Sequence, residues 1–310
     1  MPTQYPHIHP YKMVSNTQPK DVDERRTGVL SVGWDTSPVA AEDERKVVDI
    51  LEGIPGYHRL DASEMERLAQ MADEMGMTLR QVTGLRSGLL RQQAMSNHQK
   101  AVDLAPRLSK EYDGSASVMD LALAFDLPPG TVMRMVLRGR GWTKDRVRVV
   151  LNKKPQSLNS RDSTEWKLAR ENDMITAGND AARSRVGAGF EQDVAEHFDR
   201  LGVTYRTQEE LFEEQVLEFG RPMRTPDILF DEPVLINGQE IAWVDAKAFY
   251  GANIWSNRKS FQKQTNRYHP TWGQGALLFK HSFCDDLQIN GAVLLDSSPM
   301  DDSYSRKGVA

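Results

Sequence analysis

Apolar residues recur at intervals of three and four from about Glu42 to Arg148, clearest in "ERLAQMADEMGMTLRQVTGLRSGLL" and "SVMDLALAFDLPPGTVMRMVL", a spacing that predicts amphipathic helices. In the second stretch Leu121, Ala122 and Phe125 share one helix face, "DLPPG" predicts a tight turn, and Thr131, Val132, Val136 and Leu137 open a second helix. Pro128 and Pro129 suit that start, because a helix's first turn does not use their missing N–H groups. After Ser184 the pattern changes. Phe190, Val194, Phe198 and Leu201 line one face of a helix ended by Gly202. Five strand candidates follow: "TYRTQ", "TPDILF", "EIAWVDAKAF", "GALLFK" and "GAVLLD", with Asn237-Gly238 as a turn before the third. Between the third and fourth, "NIWSNRKSFQKQTNRYHP" reads as a helix stopped by Pro270.

This grammar predicts an α/β protein with a mixed central sheet flanked by helices, preceded by an all-α region. The expected divisions are a poorly ordered leader over 1–41, a helical domain over 42–150, a connector over 151–183, the α/β domain over 184–296 and a tail over 297–310. This helix, short turn and second helix, with Arg134, Arg138 and Arg140, resemble a helix-turn-helix offering its second helix to nucleic acid. A structural helical hairpin with solvated arginines is the alternative. His7 and His9 in "HIH" have no partner ligands nearby in sequence, so no metal is assigned to them.

Charge sharpens the picture. The net charge of −5 over 310 residues excludes a uniformly basic binder. Gly76 to Ser160 nevertheless holds 14 Lys and Arg against 6 Asp and Glu, a local +8 that leaves −13 for the remainder. A single cysteine, Cys284, excludes a disulfide framework and a cysteine-rich zinc site. No apolar run is long enough to span a membrane, and "MPTQYPHIHPYK" lacks the apolar core of a secretory signal, so an intracellular protein is expected.

Asp227, Asp245 and Lys247 lie in β-prone segments where charge is unexpected. Asp245 and Lys247, two apart, share one strand face, and pairing around Asn237-Gly238 would bring Asp227 beside them. Two carboxylates at close range repel, and a divalent cation removes that penalty. Mg²⁺ or Mn²⁺ leaves coordination room for a phosphodiester and water, which Lys247 could orient. The pattern "PD" then "DAK" resembles the PD-(D/E)xK nucleases. "ERK" at Glu44 and "EWK" at Glu165 also match the triplet, but neither follows a "PD", which occurs once. From Gly251 to Lys280 five basic residues, Arg258, Lys259, Lys263, Arg267 and Lys280, stand without an acid, and Trp255, Tyr268 and Trp272 could stack on bases.

Read together, "TPDILFDEPVLINGQEIAWVDAKAFYG" and "WGQGALLFKHSF" resemble the TPD-motif family of nucleases. The resemblance covers roughly Val186 to Leu295. It implies a restriction-endonuclease-like PD-(D/E)xK core behind a helical, helix-turn-helix-like half. It assigns Asp227, Asp245, Ala246 and Glu191 to the metal, Lys247 and Gln264 to catalysis beside them, and Tyr268 of "QTNRY" to placing substrate. Asp245 stands where the animal members carry Glu. The resemblance further implies a nuclear protein with a codanin-like partner, acting on DNA or RNA. A non-catalytic adaptor keeping the fold, and a helix-turn-helix regulator, are the competing readings.

Overall fold

The computed structural model describes residues 29–175 and 180–301. A two-residue strand, β1 (Ser31–Val32), precedes nine helices: α1 (Ala41–Glu52), α2 (Ala62–Glu74), α3 (Leu79–Ser96), α4 (His98–Asp103), α5 (Ala105–Asp113), α6 (Val118–Phe125), α7 (Pro129–Gly139), α8 (Lys144–Lys153) and α9 (Ser160–Asn172). The remainder runs α10 (Asp180–Arg200), β2 (Tyr205–Thr207), α11 (Gln208–Phe219), β3 (Ile228–Ile236), β4 (Gln239–Lys247), α12 (Trp255–Trp272), β5 (Gly275–Phe279), β6 (Ala292–Asp296) and α13 (Ser298–Asp301).

The fold is mixed α/β around one mixed sheet ordered β1-β3-β4-β5-β6, with β2 also pairing to β3. β3 and β4 form an antiparallel hairpin, and β5 and β6 join in parallel beyond β4. Asn237 and Gly238 turn that hairpin with φ of 50° and 77°, the doubly positive geometry that Asn-Gly favours. Alternation then divides the sheet. On β5, Leu277 and Phe279 join one core, and Ala276 and Leu278 the other. Phe190, Val194 and Phe198 of α10 cover one face. The other face is covered by α12 and by residues of α1, α2 and α3.

Hydrophobic packing therefore cuts across the division expected at residue 150. α1 to α3 share the core of the sheet, whereas α5 to α9 bury a separate one around Tyr112, Met133 and Trp166. Periodicity reveals an apolar face but not its partner. The expected connector holds α9, whose Trp166 and Ala169 are buried. Residues 1–28, including His7 and His9, and 302–310 lie outside the described residues. The end of the expected leader is ordered: β1 pairs with β3, and Trp34 is buried with its indole N–H donating to the Asp296 carbonyl at 2.9 Å.

Two further expectations change. α12 continues through Pro270 to Trp272, with Gly273 as its C-cap, and Pro270 forgoes one N–H bond to the preceding turn. α6 and α7 form the expected hairpin, with Pro128 as N-cap and Pro129 in the first turn. α7 turns most of its surface into the helical core, with Val132, Met133, Met135, Val136 and Leu137 buried, and keeps only a narrow face of Thr131, Arg134 and Arg138 toward the surface.

Candidate active site

β3 and β4 pair at Ile228–Val244, and one step further the antiparallel register sets Asp227 opposite Asp245. Asp227 is fixed from several directions. Its Oδ2 accepts the Ala246 N–H at 2.7 Å, its Oδ1 accepts the Gln208 side-chain amide at 3.3 Å, and its carbonyl accepts the Gln208 N–H at 3.1 Å. The Asp245 side chain is buried, and its two oxygens accept from Lys247 Nζ and from Gln264 Nε2. Thus the hairpin supplies both aspartates and the lysine, and α12 supplies the glutamine.

Glu191 arrives from α10. Its carboxyl is pushed above the ordinary value by burial and by the Asp245 charge, with Lys247 opposing. Asp227 is pushed up to about 8, first by burial, then by Asp245; Lys247 opposes and Glu191 adds to the rise. Three carboxylates sharing one lysine thus form a site in excess of negative charge. Among the described residues no three His, Cys, Asp or Glu side chains stand gathered as a finished metal cage. In this geometry Lys247 and Gln264 hold the oxygens of Asp245. The donor set is nonetheless all oxygen and over-acidic, which fits a hard divalent cation.

Tyr268 has a different part from the stacking expected of it. It is 4% exposed, donates its hydroxyl to the Thr225 carbonyl at 3.3 Å, and meets the Trp243 indole edge-on at 5.1 Å. A buried ring cannot stack on a base, so Tyr268 braces the segment leading into Asp227. Gln215 of α11 holds the same segment, accepting from the Met223 and Arg224 N–H groups at 2.7 and 2.8 Å. The sequence reading missed α11, and Gln208 and Gln215 with it. The signal was present: Thr207 and Glu210 form a T-x-x-E capping box at its start.

The basic residues separate into two sets. On α12, Lys259, Lys263 and Arg267 recur every fourth position, all exposed, and form one stripe beside Gln264. Lys259 lies 5.7 Å from the Trp255 ring centroid, and Arg267 donates to the Met223 carbonyl at 3.1 Å. Arg258 is exposed but donates to Asn253 at 2.7 and 3.0 Å. In the helical core Arg140 is taken by Asp162 at 2.7 Å and Asp113 at 2.5 Å, and Arg134 lies 5.6 Å from the Trp166 ring centroid. These two arginines serve their own core. Arg138 alone of the three is exposed.

The mixed α/β fold thus gathers acids, a lysine and a glutamine at one end of its sheet. Residues 158–298 match the family described as "Protein of unknown function TPD sequence-motif". The chain is 32% identical over 113 residues to Uncharacterized protein L539 of Acanthamoeba polyphaga mimivirus, covering 35% of this chain and 39% of that protein. It is also 30% identical to CDAN1-interacting nuclease 1 of Xenopus laevis over 79 residues, and 30% identical to that of Gallus gallus over 81. Those matches cover 24% and 25% of this chain, and 26% and 29% of the respective relatives. The chain therefore spans less than two-fifths of the length of these relatives. No solved structure matches it. No helix among the described residues is long and apolar enough to cross a membrane.

Proposed function

We propose that the chain is a divalent-metal-dependent nuclease with a PD-(D/E)xK-type core. The observation that carries this reading is the convergence of Asp227, Asp245, Lys247, Glu191 and Gln264 at one sheet end. The nuclease names of the Xenopus and Gallus relatives support it. In this reading Asp227, Asp245, Glu191 and the main chain at Ala246 hold Mg²⁺ or Mn²⁺. When bound, that ion supplies Lewis acidity and positive charge beside the scissile phosphate.

The chain's own residues do the rest. Gln264 orients Asp245 through its amide. Lys247, released from Asp245, offers an N–H to align the attacking water and a cation to offset charge developing on the phosphate oxygens. Lys259, Lys263 and Arg267 lead the nucleic-acid backbone toward that point, and Arg138 and Arg258 extend the contact surface. DNA and RNA fit equally, since the stripe reads phosphates. The names of the relatives suggest a codanin-like partner, and a nuclear location accompanies that reading.

Labelled single-stranded, duplex and flap substrates, offered with Mg²⁺, Mn²⁺ or EDTA, test this reading. Asp245→Ala and Lys247→Ala are each expected to lower cleavage by about a hundredfold or more while nucleic-acid binding persists. Cleavage that survives both substitutions would sink the site. Binding without cleavage under every metal condition would establish a non-catalytic adaptor instead.

A further inference from the structure

A cavity that shares no lining residue with the acidic centre opens beside α1 and α3. It encloses about 400 Å³ between the end of α1, the following loop, α3 and Asp126 at the end of α6. Its apolar wall includes Leu51, Ile54, Leu89 and Leu90. The same wall contains Arg86, only 2% exposed.

Arg86 is poorly satisfied for a buried cation. Its Nε has no hydrogen-bond partner among the described residues. Its terminal nitrogens reach only the Gly56 carbonyl at 3.4 Å and the His58 carbonyl at 3.5 Å, beyond the usual range. Glu64, whose charge favours the guanidinium, is already engaged by the Asp61 N–H at 2.8 Å and His58 at 3.3 Å. A buried charge without a close counter-ion is costly, and a planar guanidinium is built to take a carboxylate or phosphate in a two-point grip.

We propose that this cavity is a binding site for a compact monocarboxylate with an apolar body, its carboxylate paired to Arg86. The volume admits about a dozen non-hydrogen atoms if each occupies roughly a water's share of liquid, near 30 Å³. Leu51, Ile54, Leu89 and Leu90 suit an apolar body, while Gln92, Gln93 and Ser96 form the polar part of the lining. The acids decide the charge. Glu52 and Asp126 also line the cavity, and Asp126 already accepts the Gln93 amide at 2.5 Å, so a polyanion such as a nucleotide is repelled.

Calorimetric titration of the full chain with 4-phenylbutyrate tests the site, with 4-phenyl-1-butanol and inorganic phosphate as controls. Saturable binding of the carboxylate alone is expected, weakened about tenfold or more in Arg86→Met. Ser96→Trp, on the exposed rim, is expected to block binding without touching the core, and it decides the matter if Arg86→Met does not fold. No binding of 4-phenylbutyrate at millimolar concentration, equal binding by Arg86→Met, or binding of phosphate in its place would each overturn the proposal. None of these outcomes depends on nuclease activity.

Discussion

Single residues in this protein are tuned by what opposes their charge. Gln208 donates its amide to Asp227 and to the Thr225 carbonyl at 3.1 Å, so it aims a carboxylate that Asp245 and Glu191 repel. Gln208 is exposed, so Gln208→Ala should leave the melting temperature nearly unchanged. Cleavage should nonetheless fall about tenfold and the metal concentration for half-maximal activity should rise, because Asp227 loses its orientation. A metal titration of the variant that overlays the wild type would remove Gln208 from the site. Glu44 provides a case governed by pH. Burial pushes its carboxyl above the ordinary 4.5, although Tyr250 donates to it at 2.6 Å and the Asn253 N–H at 3.0 Å. A raised carboxyl contributes stability that is present below 4.5 and is lost as pH rises through the folded-state value. Chemical denaturation of Glu44→Gln between pH 4 and pH 7 should therefore lack this decline, and the variant should gain on the wild type toward neutrality.

At the scale of elements, close packing sets the limits. α7 passes α5 so closely that a Cβ on Gly139 would stand 2.2 Å from the Ala105 carbonyl oxygen and 2.6 Å from Ser109 Cβ. Backbone cannot yield as a flexible side chain does, so Gly139→Ala should destabilise the helical core by about 1–3 kcal/mol, read as a lowered denaturant midpoint. The same packing explains what could be read from residue order. The β3–β4 hairpin was legible because Asn237-Gly238 fixes its turn, and the alternation after it fixes which way Asp245 and Lys247 point. With that register, Asp227 followed. α7 stayed open between two readings because an apolar run interspersed with arginines describes a buried central helix as well as a presented one. Only the surroundings, with Arg140 held by Asp113 and Asp162, distinguish the two. α11 was missed because its glutamates and exposed Phe212 and Leu217 give it little helical periodicity, and its capping box is a two-residue signal.

The whole molecule is organised by a sheet that needs cover on both faces. α10 covers one face from within the matched region, residues 158–298. Leu277, Phe279 and Phe283 on the other side share their core with Val47, Leu51, Leu68, Val82 and Leu85, which precede that region by many residues. Glu44 adds a polar tie, since it reaches Tyr250 and Asn253 on the loop after β4. Nothing in the periodicity of α1 to α3 names the sheet as their partner, so this dependence emerges only in three dimensions. It has a direct consequence for dissection of the chain. A fragment of residues 158–301 keeps Asp227, Asp245, Lys247, Glu191 and Gln264, yet it removes α1 to α3 from a sheet face that α12 alone then covers, and leaves the apolar surface they shared in water. Such a fragment should be insoluble, or bind a hydrophobic dye as a loosened state without fixed packing. Residues 29–301 should instead be soluble, bind no dye and give protected amides on β4 and β5 in hydrogen exchange. If the shorter fragment is soluble, dye-free and equally protected, the sheet does not need α1 to α3, and the shared core contributes far less stability than its packing implies.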